Sequence, residues 1–279
     1  MQIVVTGGSG HAGSAIVAGL VASGHAVSNV DRQAPQDTAS AYKIVDLVDY
    51  GQTIAALQGA EALVHVAAIP RPTFFTNEVV FRTNVMATYN VFEAAATLGI
   101  ERVIYISSTS VTGYPFYARF FEPDYFPIDE AHPHAPQDVY ALSKYLGEEI
   151  ARAFVRRTGM RVISLRPGWI HTPESFKAEL LPFRDDPEFG ASNLWLYIDS
   201  RDLAQACQLA IASELSGFEA FYLTAPDSFM ETDSRDLAQQ FYPKAQIRPA
   251  LTGRQSLITT VRAEKVLGYQ PQHTWESYL

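Results

Sequence analysis

One cysteine, Cys207, is all the thiol chemistry that this 279-residue chain carries. No internal disulfide can form, and the helical pattern around Cys207 makes it a small core residue. Long apolar runs are missing too. No stretch approaches the ~20 residues that span a bilayer, and the N-terminus shows neither a basic n-region nor an apolar h-region. No membrane contact is expected, and the location expected is cytoplasmic. Basic residues are in deficit, 21 Lys and Arg against 30 Asp and Glu, for a formal net charge of -9. Without a basic patch, nucleic acid is not an expected partner. The seven histidines show no metal-ligand spacing, which with a lone cysteine predicts no metal. Repeats and low-complexity tracts are absent as well. What is there, 47% hydrophobic and 18% charged residues, is the composition of a globular chain long enough to bury a sizeable core.

The informative stretch comes first. Gln2-Ile3-Val4-Val5 is a short β-type run, Thr6-Gly7-Gly8-Ser9-Gly10-His11-Ala12-Gly13 is glycine-rich, and Ser14 to Val21 has the spacing of a helix packed on a sheet. Strand, glycine turn and helix are the context that a dinucleotide fingerprint requires. One glycine makes the turn, one admits the pyrophosphate to the backbone, and one lets the helix pack closely. Unpaired N–H groups and the macrodipole at the helix N-terminus favour an anion there. Ala26 to Val30 reads as the second strand and ends at Asp31, placed to accept from the adenosine ribose hydroxyls. Arg32 follows it, a residue type that accommodates a 2′-phosphate. Asp31 at the strand end favours NAD over NADP.

The rest of the chain alternates strands and helices. The segment Arg32 to Ser40 is polar and turn-like, and Tyr42 to Val45 reads as a third strand running into Asp46-Leu47. Asp46 either bonds the adenine amino group or caps the next helix, Tyr50 to Leu57. Ala62 to Ala68 is a fourth strand, and the small residues after Val66, Ala67 and Ala68, let a nicotinamide lie against the backbone. His65 within it reads as a hydrogen-bonded core histidine. Arg71, in the stiff Pro70-Arg71-Pro72 loop, is a substrate anion contact or a solvated arginine. A long helix is expected from Asn77 to Leu98, ended by Gly99, then a fifth strand at Arg102 to Ile106 with the hydroxyls of Ser107, Ser108, Thr109 and Ser110 at its end. The long loop from Gly113 to Pro136 carries Tyr114, Phe116 and Tyr117, aromatics suited to wall a substrate pocket.

Gln137-Asp138 opens a helix bearing Tyr140-Ala141-Leu142-Ser143-Lys144. Positions i and i+4 share a helix face, so the Lys144 ammonium is expected beside the Tyr140 phenol, lowering its pKa toward working pH. Such a phenol can exchange a proton with a substrate hydroxyl while hydride moves to or from a nicotinamide. Arg161 to Leu165 is a sixth strand, ending at Arg166-Pro167-Gly168. Beyond it the rhythm breaks: Trp169 to Asn193 is interrupted by Pro173, Pro182 and Pro187 and reads as a substrate-facing segment. Leu203 to Ser213 is helical, Phe218 to Leu223 is a strand, and short helices at Arg235 to Phe241 and Arg262 to Leu267 complete a small cap.

With these motifs together, the chain resembles an extended short-chain dehydrogenase/reductase of the NAD-dependent epimerase/dehydratase family. Thr6-Gly7-x-x-Gly10-x-x-Gly13 matches its TGxxGxxG, Asp46-Leu47 its adenine-side acid, His65-Val66-Ala67-Ala68 its HxAA strand, and Tyr140-x-x-x-Lys144 its catalytic pair. Ser108, three residues before Val111, matches the catalytic hydroxyl of its SSxxVYG pattern, with Thr112 in place of the usual Tyr. Arg166-Pro167-Gly168 and Tyr197-Ile198-Asp199 through Asp202 are similar to further family stretches.

The resemblance implies an α/β fold: a doubly wound Rossmann-type parallel sheet with a small C-terminal substrate-binding cap. Residues 1–168, with 194–224 returning to the sheet, would bind NAD; 169–193 and 225–279 would hold the substrate. It implies a Ser-Tyr-Lys triad of Ser108, Tyr140 and Lys144, with Lys144 also holding the nicotinamide ribose. Gly7, Gly10, His11, Ala12, Gly13, Asp31, Arg32, Asp46, Leu47, Val66, Ala67, Ala68 and Pro167 join Tyr140 and Lys144 around the cofactor. Arg71, Ser108, Thr109, Ser110 and Tyr114 would meet the substrate. Thr109-Ser110 stands where dehydratases of the family carry Asp-Glu, which disfavours a sugar dehydratase. The small cap favours a dehydrogenase of a free sugar, sugar acid or related small hydroxy compound, as in the short uronate dehydrogenases. A nucleotide-sugar epimerase is the alternative, and a non-catalytic dinucleotide sensor a second. Family dimers form through two long helices, here 77–98 and 138–157, so a homodimer is expected.

Overall fold

The computed structural model describes residues 1–36 and 40–279. The turn-like segment expected from Arg32 to Ser40 therefore lies partly outside the described residues. The strands are β1 (Gln2–Thr6), β2 (Ala26–Asp31), β3 (Ala41–Ile44), β4 (Ala62–His65), β5 (Arg102–Ile106), β6 (Tyr125–Phe126), β7 (Arg161–Pro167), β8 (Ile170–His171), β9 (Ile198–Asp199), β10 (Phe218–Leu223) and β11 (Gln246–Ile247). The helices are α1 (His11–Ala22), α2 (Tyr50–Leu57), α3 (Asn77–Leu98), α4 (Val139–Thr158), α5 (Pro173–Glu179), α6 (Pro187–Ala191), α7 (Ser200–Ala212), α8 (Ser234–Phe241) and α9 (Val261–Leu267).

Seven strands form one sheet in the order β10-β7-β5-β4-β1-β2-β3, and every pairing in it is parallel. Helices cover both faces, which is why β1, β4 and β5 read as nearly unbroken apolar runs. Ile3, Val5, Val64 and Ile104 pack with α1 and α7 on one face; Val4, Leu63 and Val103 pack with α2, α3 and α4 on the other. The chain leaves β1 toward β2 and β3, then returns to the other side through β4. Such a reversal opens a crevice at the carboxyl ends of β1 and β4, where ligands bind in doubly wound sheets. Among the described residues no helix is long and apolar enough to cross a membrane.

Two long helices frame that crevice. Gly99 at φ 72° ends α3 and Gly159 at φ 77° ends α4, each in the left-handed conformation that glycine adopts without strain. Asp138 starts α4 by accepting from the N–H groups of Tyr140 and Ala141. At Gly147 the helix runs so close to β5 that an added Cβ would sit 2.1 Å from the Tyr105 hydroxyl. Behind it, Glu148 grips Arg166 of β7 through two bonds of 2.8 and 2.7 Å and accepts from Ser164 at 3.0 Å. Burial alone would raise the Glu148 pKa, but the Arg166 hydrogen bonds win and hold it below the usual carboxylate range.

A second core lies beyond the sheet and is largely aromatic: Phe126, Phe176, Trp195, Tyr197, Tyr242 and Trp275 pack there. Two-stranded pairings β6–β11 and β8–β9 tie the loop before α4 and the segment after β7 into it. These two-residue strands lack any alternating pattern of their own and are not visible from sequence.

Candidate active site

The glycine stretch makes the first wall of a cleft of about 880 Å³. Each glycine has its own reason. Gly7 takes the left-handed turn at φ 74°, and a Cβ on it would stand 2.6 Å from the Ala67 backbone. A Cβ on Gly13 would lie 2.0 Å from the Gly7 carbonyl oxygen, so α1 starts closer to β1 than any other residue permits. Gly8 abuts the Asn29 amide in the same way. At Gly10 the protein itself leaves room, its nearest atom being Gly7 O at 3.4 Å. The side chain is missing there on the open side, above the uncapped N–H groups of α1. That cradle fits the diphosphate of a dinucleotide.

At the far end of this wall, Asp31 accepts from Ser9 N–H at 3.0 Å, Arg32 N–H at 2.6 Å and Gln33 N–H at 3.3 Å. The carboxylate is thus aimed by the backbone and still has acceptor capacity for ribose hydroxyls. Arg32 lies on the same wall. The two readings of Asp46 separate here. Asp49, not Asp46, caps α2 by accepting from Gln52 N–H at 2.9 Å, while Asp46 braces Val48 N–H and lines the cleft with Leu47. His11, Ala12, Val66, Ala67 and Ala68 continue the lining. His65 is a core histidine, bridging Thr6 and Thr88 at 2.7 and 3.1 Å, and burial pushes its pKa down to about 3.

Tyr140, Ser108, Thr109 and Ser110 meet on the floor. Ser108 starts the short helical turn Thr109–Thr112, accepting from Ser110 N–H at 3.1 Å and bonding the Ser110 hydroxyl at 2.8 Å. Burial pushes the Tyr140 pKa up to about 12; the nearby Ser108 hydroxyl works against the rise, Asp138 adds to it and Arg71 opposes it. This is the reverse of the expected lowering. Lys144 is on the right helix face, yet its Nζ donates to Ile106 O at 2.7 Å and stands 5.9 Å from the centre of the Tyr140 ring. Burial lowers the Lys144 pKa to about 7 with Glu148 opposing, so its charge is weakened rather than lent to Tyr140.

Three expected site residues are not on the cleft wall. Lys144 lies behind Tyr140. Pro167 ends β7 paired with Leu223, and the wall begins one residue later at Gly168. Tyr114 is buried in the second core with its hydroxyl donating to Phe121 O at 2.7 Å; Pro115 and Phe116 face the cleft in its place. Arg71 does line the cleft, its guanidinium 5.1 Å from the Phe74 ring.

Other residues were not singled out by sequence. Trp169, His171, Ser175, Phe189 and Asn193 also line the cleft, and the only signal for them was the broken rhythm of Trp169 to Asn193. Asn84 holds the loop before Arg71 by bonding both Ile69 N–H and Ile69 O, and its amide reaches Ser143 beside Tyr140. A polar residue on the buried stripe of α3 was the available sign.

Comparison with known proteins agrees with this geometry. A family model described as the NAD dependent epimerase/dehydratase family matches residues 3–219. An L-arabinose 1-dehydrogenase (NAD(P)(+)) of Haloferax volcanii is 30% identical over 184 residues, 64% of this chain and 71% of the relative. Among solved structures, a short-chain dehydrogenase/reductase superfamily protein from Agrobacterium tumefaciens with bound NAD superposes with a TM-score of 0.76 at 24% identity, covering 100% of this chain and 95% of the other. A UDP-galactose 4-epimerase follows at a TM-score of 0.73 and 25% identity, covering 100% and 96%. The chain belongs to the NAD-dependent epimerase/dehydratase family, NAD-using enzymes of the extended short-chain dehydrogenase/reductase type.

Proposed function

We propose that this enzyme oxidises a hydroxyl of a small free sugar, sugar acid or related hydroxy compound with NAD. The observation that carries this reading is the composition of the cleft beyond Tyr140. Phe74, Phe116, Trp169 and Phe189 wall it, and among the described lining residues there Arg71 is the one guanidinium or ammonium group. Aromatic faces suit the apolar face of a sugar ring, and one guanidinium suits one carboxylate. A nucleotide-sugar carries a diphosphate, for which this half offers a single cation. The relative named L-arabinose 1-dehydrogenase supports the same reading.

When bound, NAD supplies the hydride acceptor. In this reading Ser108 donates to the substrate oxygen, and Tyr140, after losing its own phenol proton to solvent, takes the hydroxyl proton as general base; burial opposes that first loss, and the positive charge of NAD in the cleft would favour it. Lys144 donates to Ile106 O at the end of β5 and packs behind Tyr140. Asp31 fixes the adenosine ribose and excludes a 2′-phosphate by charge. Residues 1–168 with 194–224 carry the cofactor cradle in this scheme and 169–193 with 225–279 form the cap, with Arg71, Phe74 and Phe116 of the first region completing the substrate wall. We infer a homodimer through α3 and α4, where Phe81, Met86, Tyr89 and Leu142 are exposed.

The test is a screen of purified protein against L-arabinose, D-galactose, D-glucose and D-galacturonate with NAD, followed by absorbance of NADH. Net NADH establishes the dehydrogenase. A parallel incubation with UDP-glucose in which it is converted to UDP-galactose without net NADH establishes the epimerase instead.

A further inference from the structure

The cleft lining near α5 holds one polar group with nothing to bond. His171, at the end of β8, is 1% exposed, and its Nε2 is buried without a partner. Its Nδ1 is engaged, 3.1 Å from the Ser175 hydroxyl. Ser175 is itself locked by α5, accepting from Thr172 N–H at 2.9 Å in a reciprocal cap. The ring is further fixed between Trp169, 4.6 Å away centre to centre, and Phe176 at 5.9 Å. Held on these sides, the ring leaves Nε2 with no polar atom of the protein at bonding distance. An unpartnered buried nitrogen is destabilising, and orphans of this kind mark ligand or water sites.

From this geometry we infer that His171 is a specificity-determining residue that hydrogen-bonds a hydroxyl of the substrate, at the base of a polar row His171, Ser175 and Glu179 along the α5 wall. All three residues line the cleft, and Ser175 and Glu179, four apart on α5, share one face. Burial keeps the ring neutral, and the charges of His11 and Arg71 push the same way against Asp199. A neutral imidazole brings no charge to a carboxylate, which is left to Arg71. A hydroxyl both donates and accepts, so it satisfies Nε2 in either tautomer. The aromatic walls and Arg71 then select ring and charge, while the α5 row counts hydroxyls. The inference rests on the proposed oxidation of a polyhydroxy substrate and adds which wall reads its hydroxyl pattern.

The experiment is steady-state kinetics of His171→Phe and His171→Asn with whichever of the four screened sugars the wild-type enzyme oxidises fastest, alongside calorimetric titration of each protein with NAD. The Phe variant is expected to raise KM for the sugar about tenfold, the loss of one well-placed hydrogen bond. Its saturated kcat and NAD Kd should stay within about threefold, and Asn, which keeps a polar group, should recover part of the KM. A mutation that merely loosened the wall would lower kcat and Tm and would not be rescued by Asn. Turnover with an unchanged KM in the Phe variant overturns the inference alone, as does a tenfold loss of NAD affinity, which would give His171 to the cofactor. No NADH from the wild-type enzyme with any of the four sugars overturns the proposed function, and this inference with it.

Discussion

The two halves of the cleft are built by different means. On the cofactor side the backbone makes the surface, and side chains matter mainly by being absent. Gly7, Gly8 and Gly13 each stand where a single extra carbon would come within 2.6 Å of the backbone or side chain opposite. On the substrate side the surface is made of large side chains, Phe74, Phe116, Trp169 and Phe189, carried by three connections and the short helix α6 outside the sheet. A backbone cradle shaped by glycine admits one ligand skeleton and reads the same in every chain that uses it. A side-chain wall can be repapered without moving the fold. The difference explains why the family and NAD are clear while the substrate rests on a proposal.

The comparison breaks first where the halves meet. Tyr140→Phe leaves both walls in place and removes only the proton-exchanging hydroxyl, so kcat should fall by ~100-fold or more. NAD affinity should stay nearly unchanged. Calorimetric titration and initial rates check both, and a Phe variant retaining more than about a tenth of the activity removes Tyr140 from the acid/base role. Next comes the cradle. Gly13→Ala drives a methyl into the Gly7 carbonyl, and neither backbone segment can retreat without shifting α1 from β1. A destabilisation of about 1–3 kcal/mol and weaker NAD binding are expected, readable as a lowered Tm and a raised Kd. Wild-type values for both would show that the close approach is not needed. Asp31→Ala should cost about tenfold in NAD affinity and narrow the preference against NADP, since Arg32 is then free to pair with a 2′-phosphate. Wild-type protein that already binds NADP more tightly than NAD overturns this assignment.

Most of the sheet was legible because its signals are local. α3 and β5 run from Asn77 to Leu98 and from Arg102 to Ile106 as the apolar spacing and Gly99 indicate, and the first βα unit follows from glycine chemistry. Helix periodicity also placed Tyr140 and Lys144 on one face, but it could not say how deep that face would lie. Depth decides the electrostatics: β5 supplies Ile106 O to Lys144, and desolvation then outweighs the attraction between the two groups. The same depth has a pH signature. Lys144 titrates near 7 in the folded chain against an ordinary 10.5, so between those values the unfolded chain binds the extra proton and stability rises with pH. Below pH 7 both states hold it and this contribution is flat. Lys144→Met should remove that rise, by at most about 1.4 kcal/mol per pH unit. Urea midpoints of the two proteins at pH 7 and 9 measure it, and parallel shifts would sink it.

The smallest expected effect separates the two aromatic neighbours of Pro115. By residue type Tyr114 and Phe116 are equally good pocket walls, and nothing in the loop Gly113 to Pro136 says which turns inward. The structure puts Tyr114 in the second core, 4.8 Å from the Phe121 ring and 6.0 Å from Tyr242, with its hydroxyl on Phe121 O. Phe116 is left facing the cleft. Tyr114→Phe keeps the ring and removes one partly buried hydrogen bond, so stability should drop by about 0.5–1.5 kcal/mol. The Michaelis constant for the sugar should not move, because no atom of Tyr114 lines the cleft. Phe116→Ala should do the reverse, raising that constant with little change in Tm, since a cleft-facing ring is already partly solvated. If Tyr114→Phe altered KM while Phe116→Ala did not, the wall of the substrate half would have to be redrawn with Tyr114 turned toward the cleft.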